Sequence, residues 1–284
     1  MEIKTVGVIG CGLMGSGIVE LAAKYGYRVI VREVNDDLLA KGLKRVESSM
    51  ARAVEKGKLS AADRDAAFAR IKGTTAWNDL ADADLVVEAA IENLELKKSI
   101  FKELDAVTRP DTILASNTSS LAVTEMASVT RRPDKVLGLH FFNPVPVMPL
   151  LEMVRTFLTS EETYRLARAW GEGMGKTVVV SKDAPGFIVN ALLIPYLLDA
   201  VRMYENGFAS KEDIDTGIKL GLNHPMGPLT LLDFVGLDTT LFIADEMFKE
   251  LKDPRYAAPA LLRRMVTAGY HGRKSGRGFY EYSK

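Results

Sequence analysis

The sequence predicts an α/β domain built on a parallel sheet, followed by a smaller all-helical domain. Over the first two-thirds of the chain, short apolar runs alternate with amphipathic stretches, the pattern of parallel strands joined by covering helices. From Pro185 onward the strand pattern gives way to mainly helical periodicity. Between the two, Asp183-Ala184-Pro185-Gly186 interrupts both periods, which places the boundary there and gives domains 1–183 and 184–284.

The bulk numbers fit this division. A chain of 284 residues buries about three-quarters of its unfolded surface, enough for one or two cores. Lys plus Arg (37) balances Asp plus Glu (37), so no net field draws the chain to nucleic acid or to a membrane. The single cysteine, Cys11, excludes an internal disulfide and suits a reducing compartment. It lies within a glycine turn and reads as a small packing residue. The first strand begins almost at once, and no apolar run approaches the roughly 18 residues needed to cross a bilayer. The expectation is a cytoplasmic protein.

The first strand, 4–9, runs into Gly10-Cys11-Gly12-Leu13-Met14-Gly15, a GxGxxG turn that opens a helical pattern. A second apolar run, 27–32, ends at Glu33, which lies 18 residues past Gly15. Each part has a physical task in holding a dinucleotide. Gly10 permits the tight turn, Gly12 lets the backbone approach a pyrophosphate, and Gly15 lets the helix pack closely. The helix start offers N–H groups and partial positive charge to the phosphates. Glu33 stands near the distance expected of a carboxylate that accepts from the adenosine ribose. The fold is therefore a Rossmann-like, dinucleotide-binding α/β domain. A carboxylate at this position repels a 2′-phosphate and favours NAD. Arg32 beside it would accommodate that phosphate if turned inward, which leaves NADP open.

Next, 36–56 reads as a long helix with Leu38, Leu39, Leu43, Val46, Met50 and Val54 on one stripe, closed by Gly57. Ser60 can cap a second helix, 61–71, so a helical hairpin is inserted between strands. Strands follow at 74–77, 84–89, 112–116, 136–141, 150–155 and 177–181, with helices at 94–107 and 161–174. The second domain reads as helices 187–205, 211–220, 229–251 and 259–268. About 100 residues rich in Leu, Ile and Met leave apolar surface that a partner subunit would cover.

With a dinucleotide bound, the substrate belongs where the strand ends open. Three polar segments gather at strand ends or at the boundary: Ser116-Asn117-Thr118-Ser119-Ser120; His140-Phe141-Phe142-Asn143-Pro144-Val145-Pro146, followed by Glu152; and Asn190 at the start of the first C-terminal helix. Hydride transfer from a carbinol carbon requires a proton acceptor for the hydroxyl, and histidine suits that task near neutral pH. Of the three histidines, His224 lies in a turn that reads as support for helix packing, and His271 in a basic tail. His140 ends a strand, where an α/β enzyme presents catalytic groups, although on position alone a core histidine held by backbone is the commoner outcome. Glu152 on the next strand could hold its imidazole in one tautomer, or be a solvated strand end. The SNTSS segment alone is also a routine turn and helix cap. No His/Cys/Asp grouping has metal-ligand spacing, so no metal is expected.

SNTSS-L, then GLHFFNPVPVMPLLE, then DAPGFIVN resembles the L-3-hydroxyacyl-CoA dehydrogenases, and in length the short bacterial 3-hydroxybutyryl-CoA dehydrogenases. The resemblance runs through the hairpin segment VEKGK to the ending KSGRGFY. It implies His140 as general base, Glu152 as its orienting partner, Ser119 on the substrate oxygen and Asn190 holding the substrate from the helical domain. It further implies cofactor contacts from Leu13, Met14, Glu92, Lys97, Ser119, Asn143 and Lys274, and coenzyme A contacts from Ser49 and Lys56. The implied reaction is NAD-dependent, reversible oxidation of (S)-3-hydroxyacyl-CoA to 3-oxoacyl-CoA by a homodimer joined through the helical domain. Two rivals are a related dehydrogenase of a free β-hydroxy acid and a non-catalytic dinucleotide-binding protein.

Overall fold

The computed structural model describes residues 2–282. The chain divides between Ala184 and Pro185 into two compact units.

The first unit is built on one eight-stranded sheet in the order β3-β2-β1-β4-β5-β6-β7-β8. Its strands are β1 (Thr5–Ile9), β2 (Arg28–Arg32), β3 (Ile71–Thr74), β4 (Leu85–Glu88), β5 (Ile113–Ser116), β6 (Val136–Phe141), β7 (Leu150–Arg155) and β8 (Thr177–Lys182). The first six are parallel; β7 pairs antiparallel with β6, and β8 runs parallel to β7. Val6, Val8, Leu85, Val86, Val87, Ile113 and Leu114 are all without solvent exposure, as central strands covered on both faces require. The covering helices are α1 (Leu13–Lys24), α2 (Asp36–Glu55), α3 (Ala61–Phe68), α4 (Leu94–Val107), α5 (Val123–Ala127) and α6 (Glu161–Gly173). Polar caps start several of them: Asn35, Ser60, Asn93 and Ser160 each accept the N–H three residues on.

The second unit is helical: α7 (Val189–Glu205), α8 (Lys211–Gly221), α9 (Pro228–Val235), α10 (Leu237–Leu251) and α11 (Ala260–Thr267). Ile194, Leu197, Leu198 and Val201 of α7 pack with Leu229, Leu232, Ile243 and Met247 in its core. Asp233 accepts the N–H groups of Phe279 and Tyr280 and so fastens the C-terminal tail to α9.

Three elements depart from expectation. The strand expected at 74–77 lies earlier, at Ile71–Thr74, and α3 stops at Phe68 instead of running to 71. Pairing with β2, from Val29 opposite Ile71 to Arg32 opposite Thr74, sets the strand's position. A Cβ on Gly73 would stand 3.1 Å from Leu39 and Leu43, so glycine lets α2 lie close over the strand. The helix expected over 229–251 is two helices, because Gly236 adopts φ +104° and turns the chain between them.

Candidate active site

The glycine turn follows β1 at the point where strand order reverses between β1 and β4, the place at which open α/β sheets bind ligands. Gly10 has φ +89°, and a Cβ on Gly15 would fall 1.9 Å from the Gly10 carbonyl oxygen. Only glycine allows this approach of helix to loop. Beside Gly12 a Cβ would meet nothing within 4 Å, so the loop backbone faces open space. Leu13 and Met14 form the first turn of α1. The Glu33 carboxylate accepts the Cys11 N–H at 2.6 Å and the Val34 N–H at 3.0 Å. A cavity of about 550 Å³ opens here, lined by Gly10, Gly12, Glu33, Trp77 and the apolar side chains of Ile91 and Leu96. Arg32 lines it too, its guanidinium lying 3.9 Å from the Trp77 ring centroid. The Cys11 thiol, buried beside Gly42, is pushed up to about 12, by burial and then by Glu33, which makes it a packing group and no nucleophile.

His140 and Glu152 are directly opposed residues of the β6–β7 ladder. His140 Nδ1 lies 2.7 Å from Glu152 Oε2, with Glu152 fully buried and His140 nearly so. A carboxylate against Nδ1 favours the neutral tautomer that carries its proton there, which puts the basic lone pair on Nε2. The Phe142 ring flanks the imidazole at 4.5 Å between centroids. Asn117 joins the serine-rich segment to the same strand, its Oδ1 accepting the Phe141 N–H at 2.9 Å.

Ser119 is held by Glu92, whose Oε1 accepts its N–H at 2.8 Å and stands 3.4 Å from its hydroxyl. Glu92 also accepts from the Thr118 hydroxyl at 2.5 Å. Lys97 lies against the same glutamate that holds Ser119. It is 1% exposed, and its ammonium reaches Glu88 at 2.7 and 2.9 Å, Glu92 at 3.2 Å and the Ala90 carbonyl at 3.3 Å. It is the buried counter-ion of the two glutamates. Glu88 was not singled out in the sequence, yet its carboxylate also accepts from Ser116 Oγ at 2.6 Å and from the Ala90 N–H at 2.7 Å. An acid closing the apolar run Leu85-Val86-Val87 is the signal that could have marked it.

Asn143 is exposed just past β6. Lys56 caps the C-terminus of α2 and is exposed, while Ser49, one helix stretch earlier, is half-buried. Asn190 and Lys274 belong to the second unit: Asn190 in the first turn of α7, Lys274 in a tight turn where it pairs with Asp238. In that unit His224 packs edge-on against Tyr196.

Comparison with known proteins settles the family. Residues 5–184 match the model of the 3-hydroxyacyl-CoA dehydrogenase NAD-binding domain, and residues 186–282 match that of the C-terminal domain. The chain belongs to the 3-hydroxyacyl-CoA dehydrogenase family. It is 52% identical over 282 residues to the 3-hydroxybutyryl-CoA dehydrogenase of Mycobacterium tuberculosis, covering 99% of each chain. It is 48% identical to a probable 3-hydroxybutyryl-CoA dehydrogenase of Bacillus subtilis, covering 100% of this chain and 99% of the relative. Among solved structures, the (S)-3-hydroxybutyryl-CoA dehydrogenase of Ralstonia eutropha superposes with a TM-score of 0.95 at 46% identity, covering 100% of both chains. The first unit of this 3-hydroxyacyl-CoA dehydrogenase is thus a dinucleotide-binding domain, and the loop geometry fits that cofactor: an open backbone at Gly12, a helix start beside it and a carboxylate at the end of β2. Among the described residues no helix is long and apolar enough to cross a membrane.

Proposed function

We propose that this dehydrogenase interconverts (S)-3-hydroxyacyl-CoA and 3-oxoacyl-CoA with NAD, with 3-hydroxybutyryl-CoA and acetoacetyl-CoA as the preferred pair. The 2.7 Å contact between His140 and Glu152 at the end of β6 carries this reading. In the oxidising direction His140 Nε2 takes the proton of the 3-hydroxyl group while the C3–H bond breaks, its electron pair leaves as hydride and the C=O bond forms. The dinucleotide supplies the hydride acceptor. Glu152 keeps the imidazole oriented and offsets the positive charge it gains. Ser119 and Asn190 hold the substrate oxygen and acyl chain, and Ser49 with Lys56 hold coenzyme A.

Gly10 to Gly15, Glu33, Glu92, Asn143 and Lys274 hold the cofactor. Lys97 holds it as well, with Glu88 and Glu92 as its ion-pair partners. Glu33 favours NAD, since a 2′-phosphate would face its carboxylate. Arg32, stacked on Trp77 at the rim of the same cavity, is the group through which NADPH would be accepted. The working form is a cytoplasmic homodimer joined through the helical unit, where Leu192, Phe208 and Leu220 are each more than 70% exposed.

The test is oxidation of NADH and NADPH with acetoacetyl-CoA against free acetoacetate. Turnover of acetoacetyl-CoA with NADH, and far slower turnover of the free acid, supports the reading. Preference for the free acid would assign the enzyme to a non-CoA β-hydroxy acid, and no NADH consumption with acyl-CoA substrates of any length would make it a binding protein.

A further inference from the structure

Lys176, between α6 and β8, is 7% exposed, and its ammonium donates to the carbonyls of Val145 and Met148 at 2.6 Å each. These are neutral partners. Burial lowers its pKa, and the charge acting on it is that of Lys24, a second cation. A buried ammonium is ordinarily matched by a carboxylate or another anion. Lys176 and Lys24 line a cavity of about 530 Å³ together with Lys58 and Arg70. One carboxylate, Asp63, lines it as well, and it accepts the Ser60 hydroxyl at 2.7 Å as part of the α3 cap. Lys24 forms a long i,i+4 ion pair with the buried Glu20 at 3.8 Å, and Glu20 does not line the cavity, so Lys176, Lys58 and Arg70 have only Asp63 there. The carbonyl contacts explain how Lys176 staples the 145–148 connection, but not why three more cations ring the same space.

We propose that this cavity is an anion site that takes a phosphoryl group. It lies by the C-terminal end of α1, whereas the dinucleotide loop lies at the start of that helix, so the two are separate places on the first unit. The phosphoryl group has two sources. One is free phosphate. The other is the phosphate-bearing end of coenzyme A, and this source rests on the acyl-CoA reading: Ser49 and Lys56 lie on the helix that runs into the turn bearing Lys58.

Isothermal titration with inorganic phosphate, on enzyme saturated with NADH so that the glycine loop is filled, tests the site. The variants are Lys176→Met, which keeps the apolar stem, and the pair Lys24→Gln/Lys58→Gln, at a half-buried and an exposed position, which keeps the test valid if the buried substitution impairs folding. Phosphate affinity is expected to fall about tenfold or more in each, as for loss of charge-assisted hydrogen bonds. With coenzyme A as the source, both variants also raise KM for acetoacetyl-CoA and leave KM for acetoacetyl-pantetheine unchanged. With free phosphate as the source, enzyme saturated with coenzyme A still binds phosphate. Phosphate heats and Michaelis constants that are the same, or absent, in wild type and variants overturn the site. Protein that binds phosphate as expected but turns over no acyl-CoA sinks the acyl-CoA reading and leaves the anion site standing.

Discussion

The carboxylate 2.7 Å from His140 Nδ1 both selects a tautomer and steadies a cation once the ring is protonated. Two outcomes separate these roles from mere packing. His140→Ala loses roughly 10²–10⁴-fold in turnover with NADH binding and thermal midpoint retained; unchanged turnover would remove His140 from the mechanism. Glu152→Gln keeps the shape and removes the charge, so kcat falls roughly 10²-fold while the dissociation constant for NADH, read by fluorescence titration, stays put. The apolar pattern made the strand positions of both residues legible in the sequence, while their pairing as base and orienting acid was legible only through the family resemblance, since position alone favoured a core histidine. The Lys97–Glu88 pair was not legible. Its members belong to α4 and β4, and nothing in a spacing of nine residues shows that helix and strand bring them within 2.7 Å. A lysine in an amphipathic helix reads as solvated; this one is inside.

At the scale of elements, the turn after β1 makes the sharpest claim. Gly15→Ala would drive a methyl group into the Gly10 carbonyl, a backbone atom that has no rotamer by which to withdraw. The loop must open, so NADH affinity should fall at least about tenfold, while far-ultraviolet circular dichroism stays close to wild type. Wild-type NADH affinity in this variant would mean that the loop is not the cofactor clamp. The hairpin of α2 and α3 and most helix starts were legible from apolar stripes and capping residues. The short β3 and the break at Gly236 were not. Ile71-Lys72-Gly73 has little strand character by itself and is a strand because it pairs with β2. Phe234-Val235-Gly236-Leu237 continues an apolar helical stripe, and the positive φ that ends it is a property of the backbone path.

For the molecule as a whole, acid sensitivity follows from two carboxylates, Asp105, which ties the loop at Arg131 and Arg132 to α4, and Asp84, which ties the start of β4 to β1. Asp105 is buried, which alone would raise its pKa, but hydrogen bonds from Arg132 and Arg131 hold it below its ordinary 3.8. Asp84 is likewise opposed by burial and held low by the Lys4 and Thr5 N–H groups and by Arg109. The folded chain therefore binds fewer protons than the unfolded one in this range. The stability that these groups contribute is complete above about pH 5 and is lost as pH falls through 3.8 towards the lower folded values. Urea midpoints measured from pH 7 to pH 3 should fall, and Asp105→Asn should be less stable at pH 7 yet flatter below pH 5. A variant with the wild-type slope would show that the carboxylate does not carry this dependence.

The reversal of β7 has a further consequence. Because β6 and β7 are antiparallel, His140 and Glu152 occupy the same rung of a ladder, with Leu139 facing Met153 and Phe141 facing Leu151 on the rungs beside it. Side chains alternate between faces, so sliding β7 by one residue would turn Glu152 to the other side of the sheet and bring an apolar neighbour against the imidazole. Chains trapped in that register would look folded by their helix content and would still be inert. Specific activity in this protein is therefore a gauge of strand-pairing fidelity, and refolded preparations can be graded by it where spectroscopy sees no difference.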